Sequence, residues 1–135
     1  MTVEISPEIL SQLEQAQIIW FTTVRADGMP QPIPVSFVWD NGTFLIYTTP
    51  QTQKYRNLQA NSKVALNLDS IDDGDHYTVF FGEARVDSNT PAPSKMPAYF
   101  DKYRQAIADF NMTPESFDAA YSIAIRITPT HVHGN

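Results

Sequence analysis

Two glycine-containing turn signals divide residues 18–49 into three segments that favour β-strands. The segments IIWFTTVR, PQPIPVSFVW and TFLIYTT are rich in β-branched and aromatic residues, and Asp-Gly at 27–28 and Asn-Gly at 41–42 separate them. This spacing predicts consecutive antiparallel strands joined by hairpins, which is a meander. The three prolines of PQPIPV lack the amide hydrogen that a central strand needs, so the second strand should begin at a sheet edge or a bulge.

The rest of the chain adds strands and a few short helices. Further strands are predicted for KVALNLD (63–69), HYTVFFGEARV (76–86, with a bulge at Gly82) and YSIAIRI (121–127). In YSIAIRI, isoleucines alternate with smaller or polar residues, so one face should pack inward and the other should meet solvent or a partner. Cap and proline signals predict short helices at 6–15, 52–60, 90–110 and from 113 onwards.

These elements limit the possible folds of the chain. Six or seven strands with short helices fit a small, mainly-β barrel. The chain has 135 residues, of which 42% are hydrophobic, enough for one core. Because no repeat or long linker interrupts it, we predict a single domain over residues 1–135.

Composition excludes several classes of function. The formal net charge of -6 does not favour binding to nucleic acid or to an anionic membrane surface. No apolar stretch approaches the roughly 20 residues of a membrane helix, and the first residues lack the features of a signal peptide, so we expect a cytoplasmic protein. The sequence has no cysteine, which excludes a disulfide framework, a thiol nucleophile and a cysteine metal site.

Polar residues cluster where the strand TFLIYTT gives way to the next predicted helix. Thr48 and Thr49 end the strand, and Lys54, Arg56 and Asn57 lie in the first turns of the helix. Hydroxyls, a lysine and the amides of a helix N-terminus together suit a phosphate. Lys54 and Asn57 share a helix face, whereas Arg56 points elsewhere. A solvated helix with a threonine cap is the alternative interpretation.

The other groups of polar residues are weaker evidence for a functional site. His131 and His133 could form half of a metal site, but a frayed or interface-packed tail explains them better, and we predict no metal. Asp72, Asp73 and Asp75 fit a solvated loop, since no glutamate completes an EF-hand. The chain has no nucleophile elbow, P-loop or glycosidase carboxylate pair, so no catalytic residue can be named. Chemistry supplied by a bound redox cofactor is compatible with that absence.

The order TTVRADGMPQPIPVSFVWDNGTFLIYTT, QKYRNL, SKVALNLD, YTVFFGEARV resembles the FMN-binding split-barrel superfamily, related to pyridoxamine 5′-phosphate oxidase, and in particular its small F-420-dependent members. The likeness is good over 18–86 and moderate over the final ITPTHV. It implies a six- to seven-stranded antiparallel split β-barrel and a homodimer with the cofactor at its interface. The paired arginines and substrate residues expected of pyridoxamine 5′-phosphate oxidase itself are missing, so that reaction is not expected.

The resemblance also implies a cofactor site. Thr48, Thr49, Lys54 and Asn57 would hold the phosphate, and Pro34, Val35, Ser36 and Phe37 would run beside the ribityl chain and ring. Either FMN or F-420 fits. The acidic composition disfavours the oligoglutamate tail of F-420 and so favours FMN, whereas the nearest resemblance is to F-420-dependent members. The predicted function is hydride transfer to or from a small organic substrate. A non-catalytic flavin carrier or sensor, or a haem-binding barrel using the two terminal histidines, are the alternatives.

Overall fold

The computed structural model describes residues 3–70 and 74–134. The strands are β1 (Ile19–Val24), β2 (Pro30–Val35), β3 (Val38–Asp40), β4 (Thr43–Thr48), β5 (Lys63–Asn67), β6 (Thr78–Val86) and β7 (Ile123–Gly134). The helices are α1 (Pro7–Gln15), α2 (Gln53–Ala60), α3 (Pro97–Asp109) and α4 (Pro114–Ala120), with a 3-10 turn over Pro93–Lys95. No helix in these ranges is long and apolar enough to span a membrane.

The strands form one curled, antiparallel sheet in the order β2-β1-β5-β6-β7-β4-β3. This half-barrel with short helices confirms the predicted fold class. The two predicted hairpins are present, and Asn41 and Gly42 both adopt the positive φ that a tight hairpin turn requires. As expected for its prolines, β2 lies at a sheet edge.

The predicted meander is wrong at one point. The segment 30–39 is two strands, because the chain leaves the sheet at Ser36 and Phe37. β2 pairs with β1 and β3 pairs with β4, so β2 and β3 lie at opposite edges of the sheet. The Phe37 amide donates to the Tyr103 hydroxyl of α3 at 2.8 Å instead of to a neighbouring strand, which accounts for the break, and the Phe37 side chain is fully buried in the barrel core.

Apolar residues occupy both faces of the sheet near β4 and β7. The inner core contains, among others, Phe21, Phe37, Phe44, Phe80, Ile125 and Ile127. A second cluster on the outer face joins Val38, Leu45, Tyr47 and Ala124 to Tyr99, Tyr103 and Ile107 of α3. The expectation that the second face of 121–127 meets solvent or a partner is therefore wrong for Ala124 and Arg126, which helices and loops of the same chain cover.

The last strand is longer than predicted. β7 continues to Gly134 and pairs with β6 as far as Thr78, so the histidine segment is not a frayed tail. The register shifts between Phe81 and Gly82, which confirms the predicted bulge. A Cβ at Gly82 would lie 2.4 Å from the backbone oxygen of Thr128, so this close approach of two strands requires glycine.

Candidate functional site

The junction between β4 and α2 is closed by hydrogen bonds among threonines. The buried Thr48 hydroxyl lies 3.0 Å from that of Thr52, which in turn donates to the Thr49 carbonyl at 3.2 Å. Thr52 precedes α2 but makes no side-chain cap bond, since its hydroxyl is used in this way. The first turn of α2 therefore begins without a capping side chain.

Asn57 fixes α2 on the sheet. Its amide nitrogen donates to the Thr23 hydroxyl at 2.9 Å and to Gln31 Oε1 at 3.0 Å, and its oxygen accepts from Gln53 Nε2 at 2.8 Å. Both amide hydrogens are thus used, and the residue is buried. This arrangement gives Asn57 a structural role, holding α2 against β1 and β2.

The two cations of α2 differ in environment. Arg56 is exposed and donates to the Gln51 carbonyl at 2.8 Å and to Gln53 Oε1 at 2.7 Å. Lys54 is half-buried, and within the described ranges it makes no hydrogen bond or ion pair. Burial lowers the pKa of Lys54, because desolvation disfavours its charged form. An anion beside the Lys54 ammonium would relieve that penalty.

Helix α3 holds the crossover between β2 and β3. The Tyr103 hydroxyl accepts from the Phe37 amide at 2.8 Å and lies 2.8 Å from the Phe37 carbonyl and 2.7 Å from the Gln17 carbonyl, either of which can take its single proton. Lys102 Nζ donates to the Phe37 carbonyl at 3.0 Å and lies 4.0 Å from the centre of the Phe37 ring. Burial lowers the pKa of Lys102 to about 8.

A cavity of about 560 Å³ opens between the end of β2, the first turn of α2 and the helices α3 and α4. This volume is in the range of small-molecule sites. Of the residues predicted for a cofactor, the cavity brings together Pro34, Val35, Ser36 and Lys54. It does not bring in Phe37, Thr48, Thr49 or Asn57, which lie outside its lining. The charged group in the lining is Lys54.

The opposite wall of the cavity is aromatic. It was not predicted from the sequence, where 90–110 was assigned only as a helix. Tyr99 and Tyr103 have ring centres 4.8 Å apart, Tyr99 contacts Tyr47 edge-on at 4.8 Å, and Phe117 stacks on Tyr121 at 4.3 Å. All five line the cavity. Tyr99 and Tyr103 are four residues apart in a helix and so share a face, which is the signal that could have found them.

Burial keeps the hydroxyls of Tyr47, Tyr99 and Tyr103 protonated at neutral pH. Burial raises the pKa of Tyr47 to about 12, and that of Tyr103 also to about 12. Burial likewise raises the pKa of Tyr99. The Tyr47 hydroxyl donates to the Pro91 carbonyl at 2.6 Å. These hydroxyls cannot act as bases in the cavity, and those of Tyr47 and Tyr103 already donate their single proton to backbone carbonyls.

Two other predicted clusters lie elsewhere. His131 and His133 are exposed on β7, and no cluster of three metal-ligating side chains occurs in 3–70 and 74–134. Asp72 and Asp73 lie outside the described residues. A cavity of about 500 Å³ between α1 and the ends of β6 and β7 is lined by Glu8 and Asp69 and also by His76 and His133. Its two carboxylates suit a phosphate poorly.

A family model for pyridoxamine 5′-phosphate oxidase matches residues 5–135. The chain belongs to the pyridoxamine 5′-phosphate oxidase family. This membership confirms the resemblance found in the sequence, and no curated protein matches the chain closely enough to narrow it further.

Solved structures similar to this member of the pyridoxamine 5′-phosphate oxidase family differ in their ligands. An F-420 reductase is 28% identical, with a TM-score of 0.68, 97% of this chain covered and 98% of that one. An FAD-binding protein from Mesorhizobium loti is 16% identical, with a TM-score of 0.69 and coverages of 96% and 92%. The haem storage protein HutZ from Vibrio cholerae is 17% identical, with a TM-score of 0.67 and coverages of 99% and 95%. The last two show likeness of fold alone.

Proposed function

We propose that this protein is an oxidoreductase that uses FMN or F-420 to transfer a hydride to or from a small organic substrate. The observation that carries the proposal is Lys54, a half-buried ammonium with no anionic partner in the described residues, at the edge of a cavity of ligand size. Both proposed cofactors carry a phosphate that would pair with it. Membership of the pyridoxamine 5′-phosphate oxidase family supports a flavin-type ligand.

The residues around Lys54 fit such a cofactor. Its ammonium would pair with the phosphate, and the uncapped first turn of α2 would add backbone donors. The segment of Pro34, Val35 and Ser36 would contact the ribityl chain and ring through backbone and side chains. Thr48, Thr49 and Asn57 would support the site indirectly, since their side chains already bond within the protein or lie outside the cavity.

Little protein chemistry is required for turnover. When bound, the flavin or deazaflavin ring would give or accept the hydride. The chain's own part is to hold the phosphate at Lys54, to keep the segment of Ser36 and Phe37 rigid through Tyr103, and to enclose the substrate beneath α3 and α4. No base is available among the tyrosines, whose hydroxyls remain protonated at neutral pH.

Two observations bear on the choice of cofactor and they oppose each other. The F-420 reductase, at 28% identity over nearly the whole of both chains, favours F-420. The chain has nine basic residues against fifteen acidic ones, and the oligoglutamate tail of F-420 would need a basic groove. FMN and F-420 are therefore both proposed.

We also propose that the protein is a homodimer and that it is located in the cytoplasm. The outer face of β1, β5 and β6 carries Trp20, Ala65, Val79 and Phe81, and 36% of Trp20 and 45% of Phe81 is exposed. Ala65 pairs with Thr22 of β1 on one side and with Phe81 of β6 on the other, so the side chains of these three residues form a continuous row across three strands. A second copy would bury this apolar face in a symmetric interface.

The test is a fluorescence titration of the purified protein with FMN and, separately, with F-420, at low and high salt. We expect one cofactor to bind tightly, with an affinity that falls as salt screens the phosphate contact. Binding of neither would refute the proposal. Reduction of bound cofactor without any acceptor specificity would instead support a carrier. A Soret band lost in His131→Ala or His133→Ala would support haem binding.

A further inference from the structure

His131 lies on the face of the sheet that the proposed homodimer would bury. Phe81 pairs with Ala65 on one side and with His131 on the other, so the row of Thr22, Ala65 and Phe81 continues onto β7. Side chains of directly paired residues on neighbouring strands lie on the same face of a sheet. His131 is exposed in the single chain. A second copy that covers Phe81 therefore also reaches the His131 ring.

Thr130, the residue of β7 that the bulge leaves unpaired, fixes the tautomer of neutral His131. The Thr130 hydroxyl donates to the Phe81 carbonyl at 3.1 Å, which uses its single proton. Thr130 Oγ1 also lies 3.1 Å from His131 Nδ1, so in this contact the ring donates through Nδ1–H. Nε2 of the neutral ring therefore carries a lone pair, and it bonds to no group in the described part of the chain.

The described residues around His131 offer no free carboxylate. The other side chains of its row are uncharged. At the next outward-facing positions of β5 and β6, Lys63 and Glu83 form an ion pair with each other at 3.6 Å, and the His133 ring lies 6.0 Å from that of Tyr77. A protonated His131 ring covered by a second copy would thus be an unpaired buried charge, which costs more free energy than burial of the neutral ring.

We propose that His131 makes the homodimer sensitive to pH, because two copies associate through this face while the imidazole is neutral and separate as it becomes protonated. Histidine is the side chain whose charge ordinarily changes between pH 5 and 8. The two-fold symmetry of a homodimer doubles the effect, since each copy contributes one such ring. This inference rests on the proposed function, because it takes this face to be the interface of the proposed homodimer.

The size and sign of the effect follow from linkage between association and protonation. A histidine in water has a pKa of about 6.5, so at about pH 5.5 roughly ten of eleven such rings are protonated. An interface that admits only the neutral ring is then weakened about 11-fold by each copy and about 100-fold by both. The homodimer should therefore be tightest above about pH 6.5 and should weaken as the pH falls below that value.

The experiment is sedimentation equilibrium of the purified protein at about pH 8 and about pH 5.5, at one ionic strength. It compares the wild type with His131→Gln, whose amide is uncharged at both pH values. His133→Gln is the matched control, because His133 lines the same cavity as Glu8 and Asp69, whose carboxylates can balance its charge. Both histidines are exposed in the single chain, and circular dichroism checks that each variant is folded.

We expect the dimer Kd of the wild type to rise about 10- to 100-fold from the higher to the lower pH, and that of His131→Gln to change less than about 3-fold. His133→Gln should keep most of the wild-type dependence. An equal change in wild type and His131→Gln, or a wild-type dimer that is equally tight at both pH values, would overturn the inference and leave the homodimer standing. A monomer at both pH values would instead refute the homodimer of the proposed function, and this inference with it.

Discussion

Replacing Lys54 with alanine tests the proposed anion site most directly. The Lys54 ammonium has no other partner among the described residues, so its removal leaves no protein group unpaired. The loss should then equal the contribution of one charge-assisted hydrogen bond to the cofactor phosphate, about 1.5–3 kcal/mol. That corresponds to a Kd raised roughly 12- to 150-fold. Alanine is a good helix former, so α2 should persist.

The assay is the fluorescence titration with FMN and F-420, and α2 supplies a matched control. Arg56 carries the same charge two residues further along, but it is exposed and donates to Gln51 and Gln53. Arg56→Ala should change affinity only slightly, because exposed charges contribute little. Lys54→Arg should retain most of the binding. Wild-type affinity in Lys54→Ala for whichever cofactor binds would refute the assignment of Lys54 to the phosphate.

The pH dependence gives an independent check on the same residue. Burial lowers the pKa of Lys54, and only the protonated amine attracts the phosphate. Cofactor affinity should therefore be greatest below that pKa and should fall as pH rises through it, at a lower pH than an unperturbed lysine, about 10.4, would require. Because arginine stays charged throughout, Lys54→Arg should lack this decline. A decline identical in both proteins would assign it to another group.

Three further predictions concern the framework of the site, each read out by urea denaturation. Tyr103→Phe removes the acceptor of the Phe37 amide and should destabilise the fold by about 1–3 kcal/mol, with weaker cofactor binding as a second readout. Arg126→Ala leaves the mostly buried Asp40 without its 2.8 Å ion pair and should cost about 3 kcal/mol; no loss would mean that water replaces the pair. Gly82→Ala places a Cβ 2.4 Å from a backbone oxygen of β7 and should cost about 1–3 kcal/mol, whereas unchanged stability would mean that the bulge relaxes.

Local sequence signals predicted most of the fold. The hairpin turns at 27–28 and 41–42 and the cap before α4 depend on neighbouring residues alone, and the structure confirms each of them. The predicted bulge at Gly82 is confirmed as well, although the strand that approaches it, β7, lies far along the chain. The break between β2 and β3 could not be predicted in this way. The Phe37 backbone bonds to Tyr103, 66 residues further along the chain, and no local pattern at 30–39 contains that contact.

The candidate site was predicted only in part, because local patterns do not contain its long-range contacts. Lys54 and the segment from Pro34 to Ser36 were named from a helix start and a family resemblance, and the structure brings them to one cavity. Asn57 was placed on the correct helix, but its neighbours Thr23 and Gln31 lie on β1 and β2, and only the folded chain reveals that they use its amide group. The tyrosine wall could not be predicted, because it forms only where α3 docks on the sheet and the sequence does not show where that is.

Helix α3 contributes to the site at two neighbouring turns. Lys102 and Tyr103 bond to the Phe37 backbone, next to the segment proposed to contact the cofactor, and Tyr99, one turn earlier, lines the cavity beside Tyr103. Changes at Lys102 or Tyr103 would therefore disturb cofactor binding through the backbone. A substitution on this helix can thus act on the site even where it removes no contact to the cofactor.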